Sequence, residues 1–197
     1  MKSSILAIID GSSNNEAVCR WACSLAKATQ SDIKVQSVID DQLLLGLSDF
    51  DGASGLTGSG VFIAAHQAML HTMTELYESI LVSFCARVEG DLQINVEKYI
   101  DRGKLPECVK LRAKPEDFIV MAATTANRNE LWQISQSSSC PVLLVDQNGA
   151  EELILSEKTY KHPFFEKLET QLTNENALPA TIESLRRRLK HLGPHAA

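Results

Sequence analysis

At 197 residues the chain is long enough for one good hydrophobic core and short for two domains. Its 44% hydrophobic and 22% charged content is ordinary for a globular protein, and a net charge of −6 argues against broad nucleic-acid binding. No run reaches the ~20 apolar residues of a membrane span, and the N-terminus, with one lysine and a short apolar run, lacks the pattern of a signal peptide, so a cytoplasmic protein is expected.

The first apolar run, Ile5 to Ile9, has the continuous pattern of a strand covered on both faces. It ends at Asp10, Gly11 and Ser12. Ser12 or Ser13 is placed to cap a following helix whose stripe is Ala17, Val18, Trp21, Ala22, Leu25 and Ala26. Ile33 to Ile39 reads as the second strand, with Ile33, Val35 and Ser37 alternating against Lys34, Gln36 and Val38. Gly52, Gly55, Gly58 and Gly60 mark a mobile loop. A long helix follows, from about Phe62 to Val88, with Phe62, Ala65, Met69, Met73, Leu76, Ile80, Phe84 and Val88 on its apolar stripe. Gly90 stands where a C-cap is expected.

Gln93 to Ile100 is the third strand, and Asp101, Arg102 and Gly103 form its turn. Leu105 to Ala113 is a short helix with Pro106 in its first turn, where a missing N–H is harmless. Phe118 to Ala123 is a buried strand, Asn129 to Ser137 a short helix, and Val142 to Val145 a last strand led by Pro141. Strand and helix alternate and close on a fifth strand. The expected fold class is therefore α/β, a five-stranded parallel sheet with helices on both faces.

Residues 1–147 form this α/β domain, and residues 148–197 read as a C-terminal helical extension. Phe164, Phe165 and Leu168 lie in a weakly amphipathic stretch. Ile182, Leu185, Leu189 and Leu192 line one face of a terminal helix whose other faces are basic. Two readings of that helix stay open: a solvated basic face, or a docking face toward a partner.

The junction Asp10–Gly11–Ser12 is the candidate site, because ligands of open α/β sheets sit beyond the carboxyl ends of strands, where helix N-termini point. Catalysis is not expected. His66 and His71 are five apart on a helix and diverge by about 140°, and Ser12 has no identifiable histidine base. Cys19, Cys23, Cys85, Cys108 and Cys140 show no CxxC spacing, and no metal site is expected.

The strand ending in Asp10, Gly11 and Ser12, the helix with Ala17, Trp21 and Ala22, and the closing Cys140, Pro141, Val142, Leu143, Leu144 and Val145 resemble a universal stress protein over residues 3–146. The resemblance implies a homodimer, with Val142, Leu143, Leu144 and Val145 as an edge strand paired to its counterpart. It also implies that Asp10, Gly11, Ser12 and Val38, with Met121 and Ala122, flank an adenosine. The family's phosphate loop follows the fourth strand in the pattern Gly-x2-Gly-x9-Gly-Ser or Thr. No glycine stands between Met121 and Cys140 here. Ala122 occupies the first glycine's place, and Arg128 and Asn129 fall where the last glycine and its hydroxyl partner belong. Arg128 and Asn129 are the candidate phosphate contacts, with Thr124 and Thr125 as hydroxyl donors.

Two functions follow from the resemblance. One is a stress-response protein that dimerises and binds an unidentified protein partner, without a complete ATP phosphate loop. The other is a sensor that binds AMP, ADP or ATP. An adenine nucleotide is the single cofactor the resemblance implies, and neither nucleic acid nor membrane is expected as a partner.

Overall fold

The computed structural model describes residues 3–40, 58–92, 94–126, 128–146, 151–154, 159 and 162–174. The elements in chain order are β1 (Ser4–Ile8), α1 (Asn15–Thr29), β2 (Asp32–Ile39), α2 (Gly58–Leu92), β3 (Val96–Arg102), α3 (Leu105–Arg112), β4 (Phe118–Ala122), α4 (Arg128–Ser138), β5 (Val142–Val145), β6 (Glu151–Ile154) and α5 (Pro163–Asn174). They build an α/β fold around one sheet of order β3-β2-β1-β4-β5-β6. Strands β1 to β5 are parallel. Among the described residues no helix is long and apolar enough to cross a membrane.

The apolar runs of β1, β4 and β5 are buried at every position, as expected of strands covered on two faces. Odd-numbered residues of β1 and β2, such as Ile5, Ala7, Ile33 and Val35, face α1, α2 and α5. Leu6, Ile8, Ile119, Met121, Val142 and Leu144 face α3 and α4. The α1 stripe is the one its spacing implies, with Ala17, Val18, Trp21, Ala22, Leu25 and Ala26 all buried.

The polar positions of β2 are inside too. Lys34 is buried and pairs with the wholly buried Asp117 at 2.7 Å. Asp117 also accepts the backbone N–H groups of Ser4 and Lys114, so the charge pair has the further hydrogen bonds that burial demands. Gln36 donates to Asp101 and to the Cys108 carbonyl. The alternation of β2 thus separates two covered faces rather than core from solvent.

Four expectations are corrected. The sheet has six strands, because β6 adds antiparallel to β5 with Leu143 opposite Leu153. Val142–Val145 is therefore not an open edge: its second side is taken within the chain. Residues after 147 are not simply appended, since β6 completes the sheet and Phe164, Phe165 and Leu168 of α5 join the core. Phe164 stacks on Phe118 with ring centroids 4.4 Å apart, and Phe165 meets the same ring edge-on at 6.0 Å. Finally, α2 runs through Gly58 and Gly60 at its start and Gly90 near its end. Those glycines are helical rather than loop or C-cap, because the neighbouring apolar turns carry the helix across their weak propensity.

Smaller boundaries also move. Asp101 and Arg102 belong to β3, and only Gly103, at φ +122°, makes the turn. The remainder of the expected glycine loop (residues 52–57) and the terminal helix of Ile182, Leu185, Leu189 and Leu192 lie outside the described residues.

Candidate functional site

β1 lies between β2 and β4, so the chain leaves β1 and β4 on opposite sides of one crevice. Such a switch in strand order is where an open sheet forms a ligand site. Ile8 is in register with Met121. Asp10 and the turn after Ala122 are thus neighbours in space although 115 residues separate Asp10 from Thr125.

Gly11 adopts φ +79°. A Cβ there would meet Tyr77 Cε1 at an ordinary 3.5 Å, so the backbone conformation, not lack of room, calls for glycine. The turn folds the Asp10 carboxylate back on the chain: Ser12 N–H donates to Asp10 Oδ1 at 2.8 Å. The hydroxyl of Thr125 donates to Asp10 Oδ2, also at 2.8 Å. Both carboxylate oxygens therefore accept hydrogen bonds from the protein itself.

The rest of the junction is similarly engaged. Asp10 N–H donates to Asn15 Oδ1, Asn14 N–H to the Ser12 hydroxyl, and Asn15 N–H to the Ser12 carbonyl. Asn14 is the N-cap of α1, but its side chain does not cap. Its amide donates instead to Thr124 Oγ1 at 3.0 Å. The expected cap by Ser12 or Ser13 is thereby corrected: Asn14 holds the cap position, and Ser12 binds the Asn14 N–H one step earlier. On the β4 side, Ala123 N–H donates to the Val145 carbonyl and Thr125 N–H to the Ala122 carbonyl. At the junction, the amides of Ser12, Asn14, Asn15, Ala123 and Thr125 thus point at acceptors of this chain.

Tyr77 of α2 closes the junction from the other side. Its hydroxyl donates to the Asp10 carbonyl at 3.2 Å. Burial, helped by the Asp10 charge, raises its pKa above the usual phenol value, which keeps the hydroxyl protonated as a donor.

The sequence-predicted residues separate into three groups. Asp10, Gly11 and Ser12 meet at the junction, with Val38 half-buried on the neighbouring strand. Met121 and Ala122 are fully buried side chains of the two core layers, leaving their backbone as the part near the crevice. Arg128 opens α4 and Asn129 is exposed in its first turn; the Arg128 side chain lies outside the described residues. Thr124 and Thr125, expected as phosphate donors, instead bind Asn14 and Asp10. Tyr77, Asn14 and Asn15 carried no site signal in the sequence, because their roles depend on α2 and the turn after β4 converging on Asp10. Among the described residues no three His, Cys, Asp or Glu side chains gather to hold a metal ion.

No family model matches the chain, and no curated protein matches it. Solved structures do. The universal stress protein UspA from Lactobacillus plantarum superposes with a TM-score of 0.50 at 18% identity, over 72% of this chain and 96% of that one. The hypothetical protein MJ0577 superposes with a TM-score of 0.52 at 18% identity, over 76% of this chain and 99% of that one. The likeness shows the fold, a universal stress protein-like arrangement of sheet and helices.

Proposed function

We propose that this chain is a stress-response protein that works by pairing with a second copy and by binding a protein partner, without enzymatic turnover and without a complete ATP phosphate loop. Its place of action is the cytoplasm. The observation that carries the reading is the Thr125 hydroxyl on Asp10 Oδ2. A carboxylate positioned to accept ribose hydroxyls is held by the turn that in the family's pattern carries phosphate-binding glycines. The site's two halves thus bind each other, and the Ala123 and Thr125 amides of that turn already have acceptors in this chain. Together with the lack of any glycine between Met121 and Cys140, that arrangement argues against a triphosphate cradle.

The half-burial of Asp10 and Val38 at neighbouring strand ends favours a second reading, a sensor of the nucleoside part of AMP, ADP or ATP. Equilibrium dialysis of the purified chain against adenosine, AMP and magnesium-ATP separates the two. The first reading expects no saturable binding of magnesium-ATP. Tight, magnesium-dependent ATP binding overturns it, and binding of AMP with affinity equal to that of ATP selects the second.

A further inference from the structure

α3 has eight residues, about 12 Å of helix, whereas β2 beneath it has eight residues of strand, about 26 Å. The helix starts just past the carboxyl end of β3 and stops at Arg112, so it leaves the amino half of that sheet face uncovered. A cavity of about 480 Å³ lies there, between the first residues of β2 and β3 and the chain leaving α3. Ser4 lines it. Ser4 stands six residues before Asp10 along extended chain, roughly 20 Å, so the cavity and the Asp10 junction occupy opposite ends of the sheet.

The charges around the cavity are mixed. Asp32, Glu97 and Glu116 bring three carboxylates, and Lys34, Arg112 and Lys114 bring three cations. Lys34 and Glu97 are in register on adjacent strands, so their side chains share a face. The Lys34 side chain is 8% exposed. Its ammonium has three N–H groups. One donates to Asp117 Oδ2 and one to the Arg112 carbonyl, and the third has no acceptor among the described residues. Arg112 donates from Nε and Nη2 to Asp101, and its Nη1 likewise has no acceptor among the described residues. Glu97 accepts the Tyr99 hydroxyl, and a carboxylate has capacity for further donors. Leu111, 70% exposed, adds an apolar stretch of wall.

We propose that this cavity binds a free α-amino acid with an aliphatic side chain. The unused N–H groups of Lys34 and Arg112 receive the α-carboxylate, as charge-assisted donors. Glu97 and Glu116 receive the α-ammonium. Charge selects this class. A simple anion would meet the carboxylates and a simple cation would meet Lys34, Arg112 and Lys114, whereas a zwitterion complements both signs. The volume lies within the ~300–1,000 Å³ of small-molecule sites. The aliphatic side chain covers Leu111, whose exposed surface then leaves water. No residue of the cavity belongs to the Asp10 junction, so the proposal stands apart from the nucleotide and partner readings.

Titration of the isotope-labelled full chain with L-leucine, L-isoleucine and L-valine, followed by amide chemical shifts, tests it. Saturable shifts are expected for at least one of them in residues 32–34, 97–99 and 111–116, with residues 10–12 unmoved. For L-leucine, the N-acetyl derivative, which lacks the ammonium, and the carboxamide, which lacks the carboxylate, are each expected to bind about tenfold more weakly or worse, the loss of one charge-assisted contact. Glu97→Gln and Leu111→Ser, both at exposed positions, are expected to keep the spectrum of the folded chain and to raise the dissociation constant about tenfold. Glu107→Gln, on α3 but outside the cavity, is expected to leave it unchanged. Lys34 is retained in every variant, because its loss would strand the buried Asp117. Absence of saturable shifts with all three amino acids, or shifts that spare the cavity residues, overturns the proposal. Equal affinity for N-acetyl-L-leucine and L-leucine, or a folded Glu97→Gln chain that binds as the wild type does, overturns the zwitterion assignment.

Discussion

Thr125 Oγ1 and Asp10 Oδ2 are 2.8 Å apart, and this bond joins the two loops that border the crevice between β1 and β4. It is charge-assisted and partly buried, in a class where hydrogen bonds to ionised groups contribute ~1.5–3 kcal/mol, less where water reaches them. Thr125→Val keeps the volume and removes the donor. The expected outcome is a stability loss of about 1 kcal/mol in urea unfolding, with a carboxylate oxygen released toward the crevice. If adenosine binds at all, this variant binds it more tightly than the wild type, and Asp10→Ala abolishes the binding. Calorimetric titration with adenosine on the three proteins reads both effects. Equal affinity for the wild type and Asp10→Ala would remove Asp10 from the ligand site.

The same bond shows what the sequence conveys and what it withholds. Asp10, Gly11 and Ser12 are legible because a strand end, a left-handed glycine and a helix entrance are consecutive along the chain. Thr125 is not legible as their partner, because its position depends on β4 lying next to β1. β6 was hidden for a related reason. Glu151, Glu152, Leu153 and Ile154 contain too few apolar residues to announce a strand, and the free side of β5 is what makes them one. The Phe164–Phe165 pair was visible as an amphipathic patch, but its docking against Phe118 is a contact across the fold.

Leu143 separates the observed sheet from the expected one. With an open β5 edge, a charge at Leu143 would have broken a dimer. In the structure Leu143 is fully buried, in register with Val120 on one side and Leu153 on the other. Leu143→Ala is expected to cost ~2–5 kcal/mol, and Leu143→Asp to abolish folding of the isolated chain. Chemical unfolding followed by circular dichroism measures the first. A folded, monomeric Leu143→Asp protein would restore the strand edge as the interface.

α5 supplies a second test of how far the fold extends. Phe164 is fully buried and Phe165 nearly so, and both rings contact Phe118 of β4. Truncating a core phenylalanine costs ~3–5 kcal/mol. Phe164→Ala is therefore expected to lower the urea midpoint markedly. A chain ending at residue 147, which loses β6 and α5 together, is expected to lack a cooperative transition. Cooperative unfolding of that truncated chain at the wild-type midpoint would return residues after 147 to the status of an appendage.

His162 makes the attachment of α5 sensitive to pH. Its Nε2 lies 2.6 Å from the Pro115 carbonyl, and its Nδ1 accepts the Phe164 N–H at 3.3 Å. The ring therefore bridges the loop before β4 to the first turn of α5 as a neutral imidazole with its proton on Nε2. Burial lowers its pKa, against the opposing pull of the Pro115 carbonyl and of Asp117 and Glu116. A depressed histidine pKa means that the unfolded chain binds the proton first as acid is added. Its stabilising contribution is thus complete above the unfolded value of about 6.5 and is lost as pH falls through the lower folded value. Protonation at Nδ1 also removes the acceptor for Phe164 N–H, so α5 is the element that loosens. Urea midpoints measured from pH 7.5 down to 5 should fall for the wild type, and His162→Ala should start lower and show a shallower decline. Amide hydrogen exchange should report the loss first in residues 163–168. Identical pH slopes for the two proteins would detach the acid sensitivity from His162.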